Sequence, residues 1–128
     1  MNNIRFISLQ EAISIQVDQI KQYGGRMGIR DLNLLSSAIE LPKATLDSNF
    51  LHETIFDMAS AYLFHICQNH AFMDGNKRTA LATCLIFLTL NGINTDKPKS
   101  NLYNLTIQVA KGNLTKKEIS RNLFLAFS

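Results

Sequence analysis

Apolar residues recur along the chain at steps of three and four, and the runs they form are separated by glycines, prolines and short polar stretches. That spacing is the signature of amphipathic helices joined by turns. Ser8 and Glu11 have the separation of a capping box ahead of Ala12, Ile13, Ile15, Val17 and Ile20, which predicts a first helix over residues 8–22. Its pattern stops at Tyr23-Gly24-Gly25-Arg26-Met27-Gly28, where three glycines in five residues predict a flexible connector. Asp31 is placed to cap a short second helix carrying Leu32, Leu34, Leu35, Ala38 and Ile39, which Pro42 discourages from continuing. Residues 43–50 look irregular. Between 51 and 69, Ile55, Met58, Ala59, Tyr62, Leu63 and Ile66 form one buried helical stripe that delivers His70 at its C-terminal end.

Residues 79–90 are apolar almost all round, including Leu81, Leu85, Ile86, Phe87 and Leu88, which predicts a central helix enclosed by others. Asn91-Gly92 ends it, residues 95–99 form a polar loop, and Ser100 is placed to cap a helix reaching about Lys111. Thr115 and Glu118 repeat the capping-box spacing for a last helix ending in Phe124 and Phe127. No segment alternates with period two for long, although Ile93-Asn94-Thr95 and the glycine connector each have room for a short extended piece. The expected architecture is all-α, a single domain over residues 1–128.

Composition agrees with one domain, since 128 residues with 46% hydrophobic content suffice for one core and not two. A net charge of +3, scattered along the chain, does not mark a nucleic-acid surface. No apolar run has the length of a signal peptide or a membrane span, so a soluble cytoplasmic protein is expected. Cys67 and Cys84 lie inside apolar helical patterns without the close partners of a zinc or redox motif, and read as reduced core residues.

Candidate chemistry concentrates where a loop enters the most apolar helix, at Asp74-Gly75-Asn76-Lys77-Arg78. The first turn of a helix leaves backbone N–H groups unpaired and carries partial positive charge, which attracts phosphate oxygens. Gly75 removes the side chain that would block close approach. Lys77 and Arg78 add full cations where stability disfavours them, a local rule broken in the way expected at a functional site. Asp74 offers the carboxylate that magnesium takes together with nucleotide phosphates. His70 carries the imidazole suited to accepting a hydroxyl proton. Phe72 reads as a core anchor for the loop, and Asn76 as either a phosphate contact or a brace for the loop backbone. Taken one at a time these residues have plain readings too: Asp74 as a helix cap, Lys77 and Arg78 as solvated charges, His70 as a helix-ending residue. His52 is expected as a surface or half-buried helix residue, with Tyr62 and Phe64 as packing groups.

Residues His70 through Arg78 resemble the motif of the Fic/Doc family, His-x-Phe-x-Asp/Glu-Gly/Ala-Asn-Gly/Lys-Arg, and satisfy each fixed position. The chain is most similar to the Doc branch, toxins of bacterial toxin–antitoxin pairs, because Lys77 and Thr79-Ala80-Leu81 follow as in that branch. The likeness extends to Gly24-Gly25-Arg26-Met27-Gly28-Ile29-Arg30-Asp31, to Leu34-Leu35-Ser36-Ser37-Ala38-Ile39 and to the closing helices, nearly the whole chain. The resemblance implies a compact helical bundle in which His70 is the base, Asp74 holds magnesium, and Gly75, Asn76, Lys77 and Arg78 bind the phosphates of ATP. Fic adenylyltransferases carry a second arginine three residues after the first, where this chain has Leu81. That departure favours the Doc-type reaction, transfer of the terminal phosphate to a threonine of elongation factor Tu with arrest of translation, over AMP transfer. None of Glu11, Glu40, Glu53 and Glu118 begins the Glu-Gly-Asn or Glu-Ala-Asn signature of the family's inhibitory helix, so restraint by a small antitoxin in trans is implied. The glycine connector corresponds either to the family's target-aligning flap or to a plain turn.

Two other classes compete. A metal-dependent phosphohydrolase would use His65, His70 and Asp74, although a spacing of five puts the two histidines on different helix faces. A non-enzymatic helical binding module would occlude its target or contact DNA through Lys77, Arg78, Lys97 and Lys99, without a clustered basic helix to support it.

Overall fold

The computed structural model describes residues 3–128. Six α-helices account for the architecture: α1 (Leu9–Tyr23), α2 (Leu32–Glu40), α3 (Ile55–Asn69), α4 (Asn76–Leu90), α5 (Leu102–Ala110) and α6 (Lys116–Phe127). The all-α expectation holds. A 3-10 turn (Leu41–Lys43) starting at Leu41-Pro42 follows α2, and a two-stranded antiparallel ribbon, β1 (Thr45–Leu46) with β2 (Asn49–Phe50), occupies the stretch expected to be irregular. Asp47 and Ser48, both with positive φ, make its tight turn. Among the described residues no helix is long and apolar enough to cross a membrane.

The predicted capping boxes of α1 and α6 are present: Ser8 and Glu11 bond reciprocally, as do Thr115 and Glu118. Two boundaries move. α3 begins at Ile55 rather than Leu51, because Thr54 caps it and Asp57 completes the box with a shorter side chain. α5 is capped by Asn101, not Ser100, through a bond from the Asn104 N–H. His52 consequently lies in the loop before α3 and is buried, which corrects its expected place on a helix.

The centre of the bundle is α3, which packs against α2, α4, α5 and α6, while α1 packs on α4. The expectation that α4 is the enclosed helix fails because one side of it, with Ile86 and Leu90, faces solvent. α3 takes the central position because its buried residues span several faces and include Ala59, Ser60 and Ala61, which let neighbouring helices approach closely. Tyr62, fully buried on α3, accepts from the Ile7 N–H at 2.9 Å and so ties the segment before α1 to the core. Burial pushes its hydroxyl up to about 12. Cys67 and Cys84 are buried free thiols, and burial drives both upward, Cys67 to about 12, which leaves them unreactive.

The N-terminal edge is locked by charge. Hydrogen bonds from the Arg5 guanidinium and the Ser8 N–H hold the Glu11 carboxyl down at about 2, against 4.5 when unperturbed. A lowered acid stabilises the fold above its unfolded pKa and loses that contribution as pH falls through the folded value. Stability of the chain should therefore drop between about pH 4.5 and pH 2 more steeply than that of Glu11→Gln, read as urea midpoints across that range; parallel curves would contradict it.

Candidate functional site

The site begins with the way α3 stops. His70 takes a left-handed conformation (φ 47°, ψ 46°) that turns the chain out of the helix, an uncommon state for a residue with a Cβ. Arg30 holds this end: its Nε donates to the His70 carbonyl at 2.7 Å and its Nη2 to the Asn69 carbonyl at 3.3 Å. The main chain of His70 is thereby fixed while the imidazole is exposed and has no hydrogen-bond partner among the described residues.

Ala71 and Phe72 then dive into the core, each 1% exposed, which places Phe72 as the expected anchor. The Asn76 side chain accepts from the Phe72 N–H at 3.0 Å and donates to the Phe72 carbonyl at 3.1 Å. Of its two readings, the brace is the one its side chain adopts. Gly75, in the left-handed region (φ 70°), precedes α4 without any side-chain cap. A Cβ there would meet the Ile20 side chain at 3.1 Å. The first helical bond of α4 is Thr79 N–H to Gly75 carbonyl, so the N–H groups of Asn76, Lys77 and Arg78 have no protein partner among the described residues. Asp74 does not cap α4; its Oδ1 accepts instead from the adjacent Gly75 N–H at 2.8 Å.

The glycine connector lies across this loop. It is a strap bonded to the motif, not a flexible linker: Arg30 and Asp31 donate to the Ala71 carbonyl at 2.7 and 3.0 Å, and Met73 donates to the Gly28 carbonyl at 2.9 Å. Ile29 and Phe72 form the antiparallel bridge, the short extended piece for which the sequence left room. Gln16, buried on α1, joins strap to loop by donating to the carbonyls of both Arg26 and Asp74 at 3.2 Å. The Arg26 N–H donates to Asp74 Oδ2 at 3.2 Å. Those two N–H donors, from Gly75 and then Arg26, hold the Asp74 carboxyl below its ordinary range, helped by the nearby Arg78 and Arg26 charges. Asp74 is therefore ionised at neutral pH and stays exposed.

His70, Met73, Asp74, Gly75, Asn76, Lys77, Arg78 and Tyr103 line one open cleft of about 260 Å³. The site residues expected from the sequence thus stand together, with Phe72 beneath them in the core. Lys77 is exposed, and Arg78 donates to the Gly24 carbonyl at 3.1 Å with its guanidinium 5.6 Å from the Tyr23 ring centre. Neither cation pairs with a carboxylate among the described residues. Leu81, where a second arginine would stand, packs against the core. Gln16, Arg30 and Tyr103 escaped the sequence reading: Gln16 and Arg30 act through partners far away along the chain, Tyr103 reaches the cleft from α5, and no local pattern marks any of them.

His65 is not part of this cleft. Its Nε2 and that of His52 both lie 3.2 Å from Lys116 Nζ, and burial together with that lysine lowers His65 to about 4. The residues invoked for a phosphohydrolase are therefore not brought together, and no cluster of three metal-ligating side chains occurs among the described residues.

Comparison with known proteins agrees with the motif. Residues 6–88 match the sequence pattern of the Fic/DOC family. The chain is 31% identical over 121 residues to "Protein kinase doc" of Escherichia phage P1, covering 94% of both chains. It is 41% identical over 71 residues to "Toxin Doc" of Mycolicibacterium smegmatis, a match that spans 56% of this chain and 55% of that relative. This chain belongs to the Fic/DOC family.

The strap makes its own prediction. A Cβ at Gly25 (φ 120°) would stand 2.7 Å from Asp74 Oδ2, whereas at Gly24 (φ 85°) it would meet nothing within 4 Å. Both alanine substitutions carry positive-φ strain, but only Gly25→Ala pushes the strap off Asp74, so it should lose more stability than Gly24→Ala and more than about 1 kcal/mol in all. Denaturant unfolding compares the two, and equal losses would mean that the close approach has no energetic weight.

Proposed function

We propose that this chain is a Doc-like toxin kinase that transfers the γ-phosphate of ATP to a threonine hydroxyl of elongation factor Tu, arresting translation, and that a small antitoxin restrains it in trans. The observation that carries the reading is the bare start of α4. Three unpartnered N–H groups and two cations without carboxylate partners stand in one cleft with an exposed imidazole and an ionised carboxylate. An anion of high charge would satisfy donors and cations together. Kinase and toxin, the words in the names of the two relatives, agree with that assignment.

Each residue has a role in such a transfer. The N–H groups of Asn76, Lys77 and Arg78 would hold the phosphate oxygens, with the Lys77 and Arg78 charges offsetting the charge that builds as the phosphoryl group moves. Gly75 keeps the approach open, and Asn76 keeps the loop in shape through Phe72. His70 would accept the proton of the attacking hydroxyl, from a main chain that Arg30 prevents from shifting.

Magnesium fits the donor set. Asp74 presents an exposed carboxylate whose oxygens each take one N–H donor, leaving lone pairs free for a hard cation that draws its remaining ligands from phosphate and water. When bound there the ion would supply charge neutralisation of the triphosphate. Asp74 alone is too few ligands for a cation without nucleotide, so metal and ATP are expected to bind together.

Leu81 favours γ-phosphate over AMP transfer, because the packed leucine supplies no second cation to draw the triphosphate into another placement. ATP labelled at either the α or the γ phosphorus, incubated with the chain and elongation factor Tu, should leave only the γ label on the target, with a mass gain of one phosphate. His70→Ala should reduce the rate by roughly 100- to 10,000-fold while leaving the fold intact. Incorporation of the α label would replace the kinase by an adenylyltransferase, and unimpaired transfer by His70→Ala would remove the base.

A further inference from the structure

The cleft is smaller than the molecule proposed to enter it. Pockets that enclose a ligand of drug size have roughly 300–1,000 Å³, whereas this one offers about 260 Å³ and is open at its mouth. Its floor, residues 74–78, is polar and suits phosphate. The rest of a nucleotide must then lie at the rim, outside the phosphate-binding floor.

Seven of the eight lining residues come from the stretch 70–78; the eighth, Tyr103, comes from the first turn of α5. The residue is 59% exposed although α5 packs against both α3 and α4. The hydroxyl has no hydrogen-bond partner among the described residues, and the ring meets no other aromatic ring or cation. Tyr23, the other exposed aromatic near the site, already has its ring under the Arg78 guanidinium. Among the described residues Tyr103 is thus the aromatic side chain that lines the cleft, and neither an aromatic ring nor a cation lies over its face.

We propose that Tyr103 is the base-holding residue of the site: the purine of ATP stacks on its ring while the triphosphate occupies the α4 start. The inference rests on the nucleotide reading and adds to it where the base goes. Stacking uses the π-face that every base has and no hydrogen-bond pattern, so it provides affinity without choosing among purines. ATP and GTP should accordingly be bound with similar strength.

The test separates the two ends of the ligand. Binding of magnesium–ATP and of magnesium–tripolyphosphate, which has the phosphates and no base, is measured by calorimetry on the full chain and on Tyr103→Leu and Tyr103→Phe. The leucine variant should bind ATP about 5- to 100-fold more weakly, with tripolyphosphate affinity unchanged, and the phenylalanine variant should match the wild type for both. ATP affinity unaltered by Tyr103→Leu would overturn the stacking role and leave the phosphate site standing. Equal weakening of both ligands would overturn it too, by placing Tyr103 at the phosphate end. A wild-type chain that binds neither ligand would remove the nucleotide reading and the base site with it.

Discussion

The strap of residues 26–31 lying antiparallel to the loop of residues 71–73 is the contact from which the site takes its shape. A chain leaving α3 and entering α4 within six residues has few backbone partners of its own, and a loop left to itself would sample many conformations. Here the loop borrows partners from a segment 40 or more residues earlier, as in the Arg30 and Met73 bonds. Gln16 closes the arrangement from below by serving both segments with one buried amide. A buried amide with only some of its bonds would be costly, so helix α1, strap and loop are expected to hold or release together.

That rigidity allows α4 to start badly. A helix of this kind would ordinarily gain a capping side chain and an acidic first turn, whereas α4 has a left-handed glycine and two cations. The deficit is tolerated because packing against α3, and not local capping, holds α4 in place. Asp74, the obvious cap, is turned toward the strap and kept ionised by the N–H groups of Gly75 and Arg26. Donors, cations and carboxylate are left facing one opening with the His70 ring beside them.

Much of this was legible in the residues because it is local. Capping boxes, glycine stops and the 70–78 motif all act within a few positions, and the helices they bound are found where periodicity places them. The start of α3 was missed because Asp57 stands where Glu or Gln signals the box, and the 45–50 ribbon because two-residue strands leave no alternation to detect. The identity of the central helix was misjudged for a different reason: all-round apolarity in α4 includes Ile86 and Leu90 at the surface, while α3 achieves centrality with small residues. Asn76 could be read either way, since an amide's partner is a matter of tertiary placement. Gln16, the Gly25 approach to Asp74 and the position of Tyr103 depend wholly on distant segments meeting, which no window of sequence displays.

The central claim is that the exposed N–H groups at the start of α4 are the seat of a triphosphate. Amide NMR during titration with magnesium–ATP examines them one by one. Occupation of the site predicts that the Asn76, Lys77 and Arg78 amide signals move together and saturate along one binding curve, ahead of those on the far side of the bundle. Signals at 76–78 that stay still while ATP binds elsewhere, or that stay still because it does not bind, would contradict the account.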